Sequence, residues 1–143
     1  MPSFLDPAIS PDGRMAYVAS GNALESIDLA TRRVGRSIRL PMMLGIGAIA
    51  ITADGRTAYV GYLKPENPPD GIVVPIDLTT LRAKPPIRVP SYPYSITDVV
   101  IAPDGCTAYV AAYSAVIPID LQTRTAARPI PMPAGIEAIT LAP

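Results

Sequence analysis

"PDGCTAYVAA" occupies residues 103–112, and close copies stand earlier as "PDGRMAYVAS" at 11–20 and "ADGRTAYVGY" at 53–62. One phrase written three times marks a chain of structural repeats, each too small to bury its own apolar surface. A second phrase follows each copy: "IDLAT" at 27–31, "IDLTT" at 76–80 and "IDLQT" at 119–123. An apolar, proline-containing phrase comes next, "SIRLP" (37–41), "PIRVP" (86–90) and "PIPMP" (129–133). The runs "IGAIAITA" (46–53), "ITDVVIAP" (96–103) and "IEAITLAP" (136–143) then lead toward the next copy or end the chain.

Each unit therefore holds four short segments, A to D, exemplified by "GAIAIT", "TAYVGY", "IVVPIDL" and "KPPIRV". All are rich in Val, Ile, Tyr and Thr and bounded by Gly, Pro, Asp or Thr, which is the pattern of strands. Asp-Gly between A and B suits a tight hairpin, because glycine supplies the positive φ that the turn needs. The Asp and Thr of the "IDLxT" phrase can bond nearby backbone N–H groups at the C–D turn. Helical periodicity is absent, and 18 prolines with 10 glycines oppose long helices. Four antiparallel strands in about 40–45 residues make the blade of a β-propeller. The expectation is an all-β chain of three four-stranded antiparallel blades, at about 4–41, 46–90 and 96–133, with an extra C-terminal strand at 136–142. Tyr17, Tyr59 and Tyr109 recur at one place in segment B, which assigns them to packing between blades.

These phrases resemble the YVTN family of bacterial β-propeller repeats. The matching stretches are "ISPDGRMAYVAS" (9–20) with "LESIDLAT" (24–31), "ITADGRTAYVGY" (51–62) with "VVPIDLTT" (73–80), and "IAPDGCTAYVAA" (101–112) with "VIPIDLQT" (116–123). The resemblance implies blades around a central axis, an interaction scaffold, and an exported or surface-associated protein. Such propellers usually have about seven blades, and this chain encodes three. Three blades cannot close, so sheet faces and edges stay bare and invite association.

The chain ends sharpen this expectation. "IEAITLAP" is a fourth A segment with no B, C or D behind it, while the first A segment, "FLDPAIS" (4–10), carries Pro7 where the others carry Ile49, Val99 and Ile139. Proline removes a ladder donor, so that strand is expected to be irregular. The chain is accordingly expected to bind itself as a dimer giving six blades, the commonest symmetric assembly, with a trimer giving nine as the second choice, and with the C-terminal strand of one copy completing another. The alternative is a piece of a longer propeller.

Composition narrows the partners. Acidic and basic residues balance at 12 each, so nothing draws the chain to nucleic acid or an anionic surface. The longest apolar run, "MLGIGAIAI" (43–51), is too short to span a bilayer. "MPSFLDPAISPDG" shows no signal-peptide pattern, which on the chain as written points to the cytoplasm, against the export implied by the resemblance. Cys106 is the only cysteine and histidine is absent, so thiol nucleophilic chemistry has no usual base and Cys106 reads as a small turn residue.

In a propeller the B–C and D–A loops share one face. The second B–C connection, "LKPENPPDG" (63–71), is lengthened and stiffened by prolines, and the D–A loops bring Met42, Met43, Tyr92 and Tyr94. Tyr62, Lys64, Glu66, Tyr92 and Tyr94 are the binding-face candidates, for a protein, peptide or glycan. Segment A lines the axis and places Asp98, with Asp6 aligned to it, as channel carboxylates; Glu137 is one residue off register. A metal wants several converging oxygens, so these are read as solvated carboxylates and no metal or cofactor is assigned. No nucleophile elbow, phosphate loop or Cys/His cluster occurs. The expectation is a non-catalytic binding module, with a metal-dependent, lactonase-like hydrolase using the channel carboxylates as the alternative.

Overall fold

The computed structural model describes residues 7–20, 23–40, 46–64, 70–90, 96–133, 135–136 and 139–142. These residues form three antiparallel sheets, consecutive in the chain, and no helix. The first sheet runs in the order β1 (Ala8–Ile9), β2 (Met15–Ser20), β3 (Ala23–Asp28) and β4 (Arg33–Arg39). The second comprises β5 (Ile46–Ile51), β6 (Thr57–Lys64), β7 (Asp70–Asp77) and β8 (Arg82–Ala83), with β9 (Ile87–Val89) also paired to β7. The third repeats this plan with β10 (Ile96–Ile101), β11 (Thr107–Ala112), β12 (Ala115–Asp120), β13 (Thr125–Ala126) and β14 (Ile130–Pro131).

The turn chemistry is as the sequence dictates. Gly13, Gly55 and Gly105 sit at φ of 74°, 73° and 72° between the first and second strands of their sheets, a region that glycine enters without a Cβ penalty. Asp12 Oδ1 accepts hydrogen bonds from the Ser10 hydroxyl at 2.6 Å and the Arg14 amide at 2.9 Å. Asp54 does the same with Thr52 and Arg56. At the opposite hairpin of each sheet, Asp28, Asp77 and Asp120 each accept bonds from the amides two and three residues on. Those turns close through Arg32, Leu81 and Arg124, at φ of 60°, 58° and 60°.

The last strand differs between sheets for a covalent reason. In the first sheet β4 is continuous over seven residues. In the second, Pro85 and Pro86 separate β8 from β9, and in the third Pro129 falls between β13 and β14. Proline has no N–H to give the ladder, so the strand breaks there.

Period-2 alternation sends one set of side chains toward the preceding sheet, here the leading face, and the other toward the following sheet, the trailing face. Between the first and second sheets, Tyr17, Leu24, Ile38 and Leu40 meet Ala58, Val60, Tyr62, Ile72, Val74 and Ile76. Between the second and third, Ala48, Val73, Ile87 and Val89 meet Ile96, Val99, Ala108, Val110, Ala112, Ile117 and Ile119. Burying one such Val or Ile stabilises the fold by about 1.5–3 kcal/mol, so these two seams hold the sheets together. Gly61 lets the second seam close: a Cβ there would meet Ile96 Cγ2 at 3.0 Å and Val99 Cγ2 at 3.1 Å.

Two expectations are corrected. The segment expected as an extra strand over 136–142 has no strand among its described residues, 136 and 139–142. A first strand pairs with the second strand of its own sheet, and 136–142 has no such partner among the described residues. The lengthened connection "LKPENPPDG" is partly hairpin, since Leu63 pairs with Gly71 and Lys64 with Asp70.

Candidate functional site

The paired registers make the three sheets comparable residue by residue. Leu24 pairs with Ile38, Val73 with Ile87, and Val116 with Ile130, so Ile38, Ile87 and Ile130 hold one position. Two residues on, Leu40, Val89 and Met132 hold another. Ile38 and Ile87 are 2% and 3% exposed, yet Ile130 is 48% exposed; Leu40 and Val89 are 3% and 0% exposed, and Met132 is 40%. The first two sheets bury these side chains beneath their successors. The third keeps apolar residues at the same places with no sheet over them among the described residues. Tyr113, 54% exposed, extends this apolar face.

The part of that face near β10 is covered by the C-terminal segment. The Thr97 hydroxyl lies 3.2 Å from the Ala111 carbonyl and 3.1 Å from that of Ile136. Asp98 Oδ2 accepts the Ile139 N–H at 3.0 Å, while Oδ1 accepts the Val99 N–H at 2.9 Å. Ile136 N–H donates to the Tyr113 carbonyl at 2.7 Å, and Met132 N–H to that of Ser114 at 2.9 Å. Gly135 rides on the Tyr113 ring, where a Cβ would come within 2.5 Å of Cε2. Asp98 was expected to be a solvated carboxylate. It is instead half-buried, with both oxygens accepting backbone N–H bonds, because 139 is brought alongside β10.

The opposite end of the stack is the leading face of the first sheet. Ala16, Val18, Ile27 and Val34 carry the apolar pattern there, and Val34 is 67% exposed. One residue breaks it. Val18 pairs with Glu25 where Val60 pairs with Val74 and Val110 with Ile117. Val74 and Ile117 are 0% and 1% exposed, whereas Glu25 accepts a 2.9 Å bond from the Ser37 hydroxyl. Arg32 occupies the turn position of Arg124, whose guanidinium crosses to the carbonyl of Pro85 in the preceding sheet.

The binding-face candidates separate. Tyr62 is corrected to a core residue: alternation along β6 turns it with Ala58 and Val60 into the first seam, where it is 1% exposed. Its hydroxyl has no hydrogen-bond partner among the described residues, and burial pushes its pKa up to about 12. Lys64 lies at the end of β6 opposite Asp70. Asp70 is buried and pairs with the Arg88 guanidinium. Glu66, Tyr92, Tyr94 and Asp6, with Met42 and Met43, lie outside the described residues. The positions that mattered most, Glu25, Thr97, Ile130 and Met132, went unnoticed in the sequence. Aligning the C and D segments across the repeats exposes Glu25 as a charge in an apolar column.

No family model and no curated protein matches the chain. Among solved structures, it is similar to a chain of Kuenenia stuttgartiensis hydrazine synthase, with 25% sequence identity and a TM-score of 0.76. The match covers 90% of this chain and 35% of that one, so this chain spans about a third of its neighbour's length.

Proposed function

We propose that the three sheets are blades of a β-propeller of the YVTN type, and that the chain is a non-catalytic scaffold completed by a second copy of itself. The supporting observation is the column Ile38, Ile87 and Ile130, buried twice and exposed once. An apolar face that continues two existing seams is suited to a third seam of the same kind. Head-to-tail pairing of two copies supplies it, the first blade of one chain covering the third blade of the other. Arg32 then meets the backbone of residue 128 of the other copy, as Arg124 meets Pro85 within one chain. The engagement of both Asp98 oxygens with backbone amides favours a structural over a catalytic role for that carboxylate.

Glu25 favours a second reading, in which the chain is a segment of a longer propeller whose further blades cover both ends. Burying a carboxylate against an apolar face is costly unless it is paired. A solution mass measurement separates the two. A species of twice 15.0 kDa that Ile130→Asp converts to the single-chain mass supports self-completion. A single-chain species at all concentrations overturns it in favour of the longer propeller.

A further inference from the structure

We infer a binding site for a small carboxylic acid with an apolar body, set in the cavity between the second and third sheets and lined by Thr57, Tyr59, Lys84, Ile87, Leu121 and Arg124. The cavity measures about 120 Å³, and about 380 Å³ when the open space at its mouth is counted; it is smaller than the roughly 300–1,000 Å³ of drug-sized sites and suits only a small acid. Pro75 completes its wall.

The two seams carry different side chains at matching positions. At the first seam the corresponding residues are Met15 for Thr57, Tyr17 for Tyr59, Gly35 for Lys84, Ile38 for Ile87, Leu78 for Leu121 and Leu81 for Arg124. The registers fix these matches, since Met15 and Thr57 pair with Asp28 and Asp77, while Val34 and Ala83 pair with Ile27 and Ile76. Met15, Leu78 and Leu81 all pack into the first core cluster. The second seam thus replaces a thioether with a hydroxyl, a glycine with an ammonium and an isobutyl group with a guanidinium. Three independent exchanges converge on one space, and none improves apolar packing.

The chemistry of the lining follows. Arg124 uses part of its guanidinium on the Pro85 carbonyl, and its five N–H donors leave capacity for a carboxylate. Lys84 adds a second positive charge and Thr57 a hydroxyl donor. Of the nearby acids, Asp77 also attracts Lys84, and both it and Asp54 hold hydrogen bonds on one oxygen. Asp77 Oδ1 accepts the Thr79 amide and hydroxyl and the Thr80 amide, and Asp54 Oδ1 accepts the Thr52 hydroxyl and Arg56 amide. Tyr59, Ile87, Leu121 and Pro75 offer the apolar wall against which a ring or short alkyl body rests. Burial raises the pKa of the half-buried Tyr59 hydroxyl, Arg124 offsets part of that rise and Asp54 adds to it.

The site lies within one chain, so its test does not depend on how copies assemble. The measurement is a backbone-amide NMR titration with benzoate, its neutral isostere benzamide, and inorganic phosphate, each to roughly 10 mM, the range of weak small-ligand affinity. Benzoate is expected to shift the amides of Thr57, Lys84, Ile87, Leu121 and Arg124 saturably, and to bind at least roughly tenfold more tightly than benzamide. Lys84→Gln and Arg124→Leu, the latter installing the residue type already tolerated at Leu81, are each expected to weaken benzoate roughly tenfold. If Arg124→Leu loosens the seam, Lys84→Gln alone decides. The absence of saturable shifts, equal binding of benzamide, or indifference to Lys84→Gln overturns the assignment. Phosphate matching benzoate on the same amides overturns the apolar half of it.

Discussion

Asp98 Oδ2 lies 3.0 Å from the backbone nitrogen of Ile139, 41 residues further along the chain. With the Thr97–Ile136 bond it ties the C-terminal segment to the third sheet. A hydrogen bond to a charged acceptor contributes about 1.5–3 kcal/mol, and partial exposure of Asp98 puts it near the lower end. Asp98→Ala is therefore expected to cost about 1.5 kcal/mol in denaturant unfolding and to accelerate amide exchange at Ile139. Asp98→Asn keeps an acceptor and should lose less. Unchanged exchange at Ile139 in the alanine variant would show that packing alone holds the segment.

Tyr62 presents the reverse case, a buried hydroxyl with no hydrogen-bond partner among the described residues. Tyr62→Phe removes an unsatisfied polar group while keeping the ring, and is expected to raise stability by about 1 kcal/mol. The pH dependence has a definite sign. The folded pKa is raised from 10.0 to about 12 by burial, so the protonated form favours the folded state. Its contribution is whole below pH 10 and is lost as pH rises from 10 toward 12. Burial also raises Tyr17 and Tyr59, so Tyr62→Phe should flatten the alkaline limb in part. Thermal midpoints between neutral pH and the alkaline limb, in both proteins, check this.

The acid limb belongs to the turns. Asp12, Asp54 and Asp77 lie below the ordinary carboxylate value of 3.8, each held there first by a side-chain hydroxyl, from Ser10, Thr52 and Thr79, and then by backbone amides. A lowered folded pKa favours the ionised native state. The stability is present above pH 3.8 and disappears as pH falls below it through the folded value. Asp12→Asn with Asp54→Asn is expected to make stability less steeply dependent on pH in that range, read from urea midpoints at successive pH values. An acid limb of unchanged slope in the double variant would assign the dependence elsewhere.

The sheets, their turns and the seam between neighbours were legible in the sequence because each repeats, and a repeated Asp-Gly or Ile-Asp-Leu constrains a turn wherever it falls. The split of the fourth strand was missed: segment D reads as one strand across its prolines, although Pro85, Pro86 and Pro129 mark the break. What the repeats hid was their differences. Tyr62 looked open to a binding face because it ends segment B and the chain turns polar after it, but the hairpin runs on to Lys64 and Asp70 and keeps Tyr62 inside. Asp98 looked solvated because its partner is a backbone amide, which every residue but proline carries and no motif marks. The cavity at Lys84 and Arg124 depends on which seam a residue faces, and that follows only from register.

Glu25 gives the assembly its sharpest test. It stands in the column of Val74 and Ile117, on the face that head-to-tail pairing buries. A buried carboxylate opposes association even with the Ser37 hydroxyl bound to it, whereas a valine there adds about 1.5 kcal/mol of apolar burial. Glu25→Val is therefore expected to tighten the dimer by at least roughly tenfold, seen by sedimentation as a discrete species of twice the single-chain mass persisting to lower concentration. Adding Ile130→Asp to the same protein should abolish the gain, because the proposed head-to-tail pairing brings the faces of these two residues together. A Glu25→Val protein that dissociates at the same concentration as the parent would place the leading face of the first sheet outside any interface.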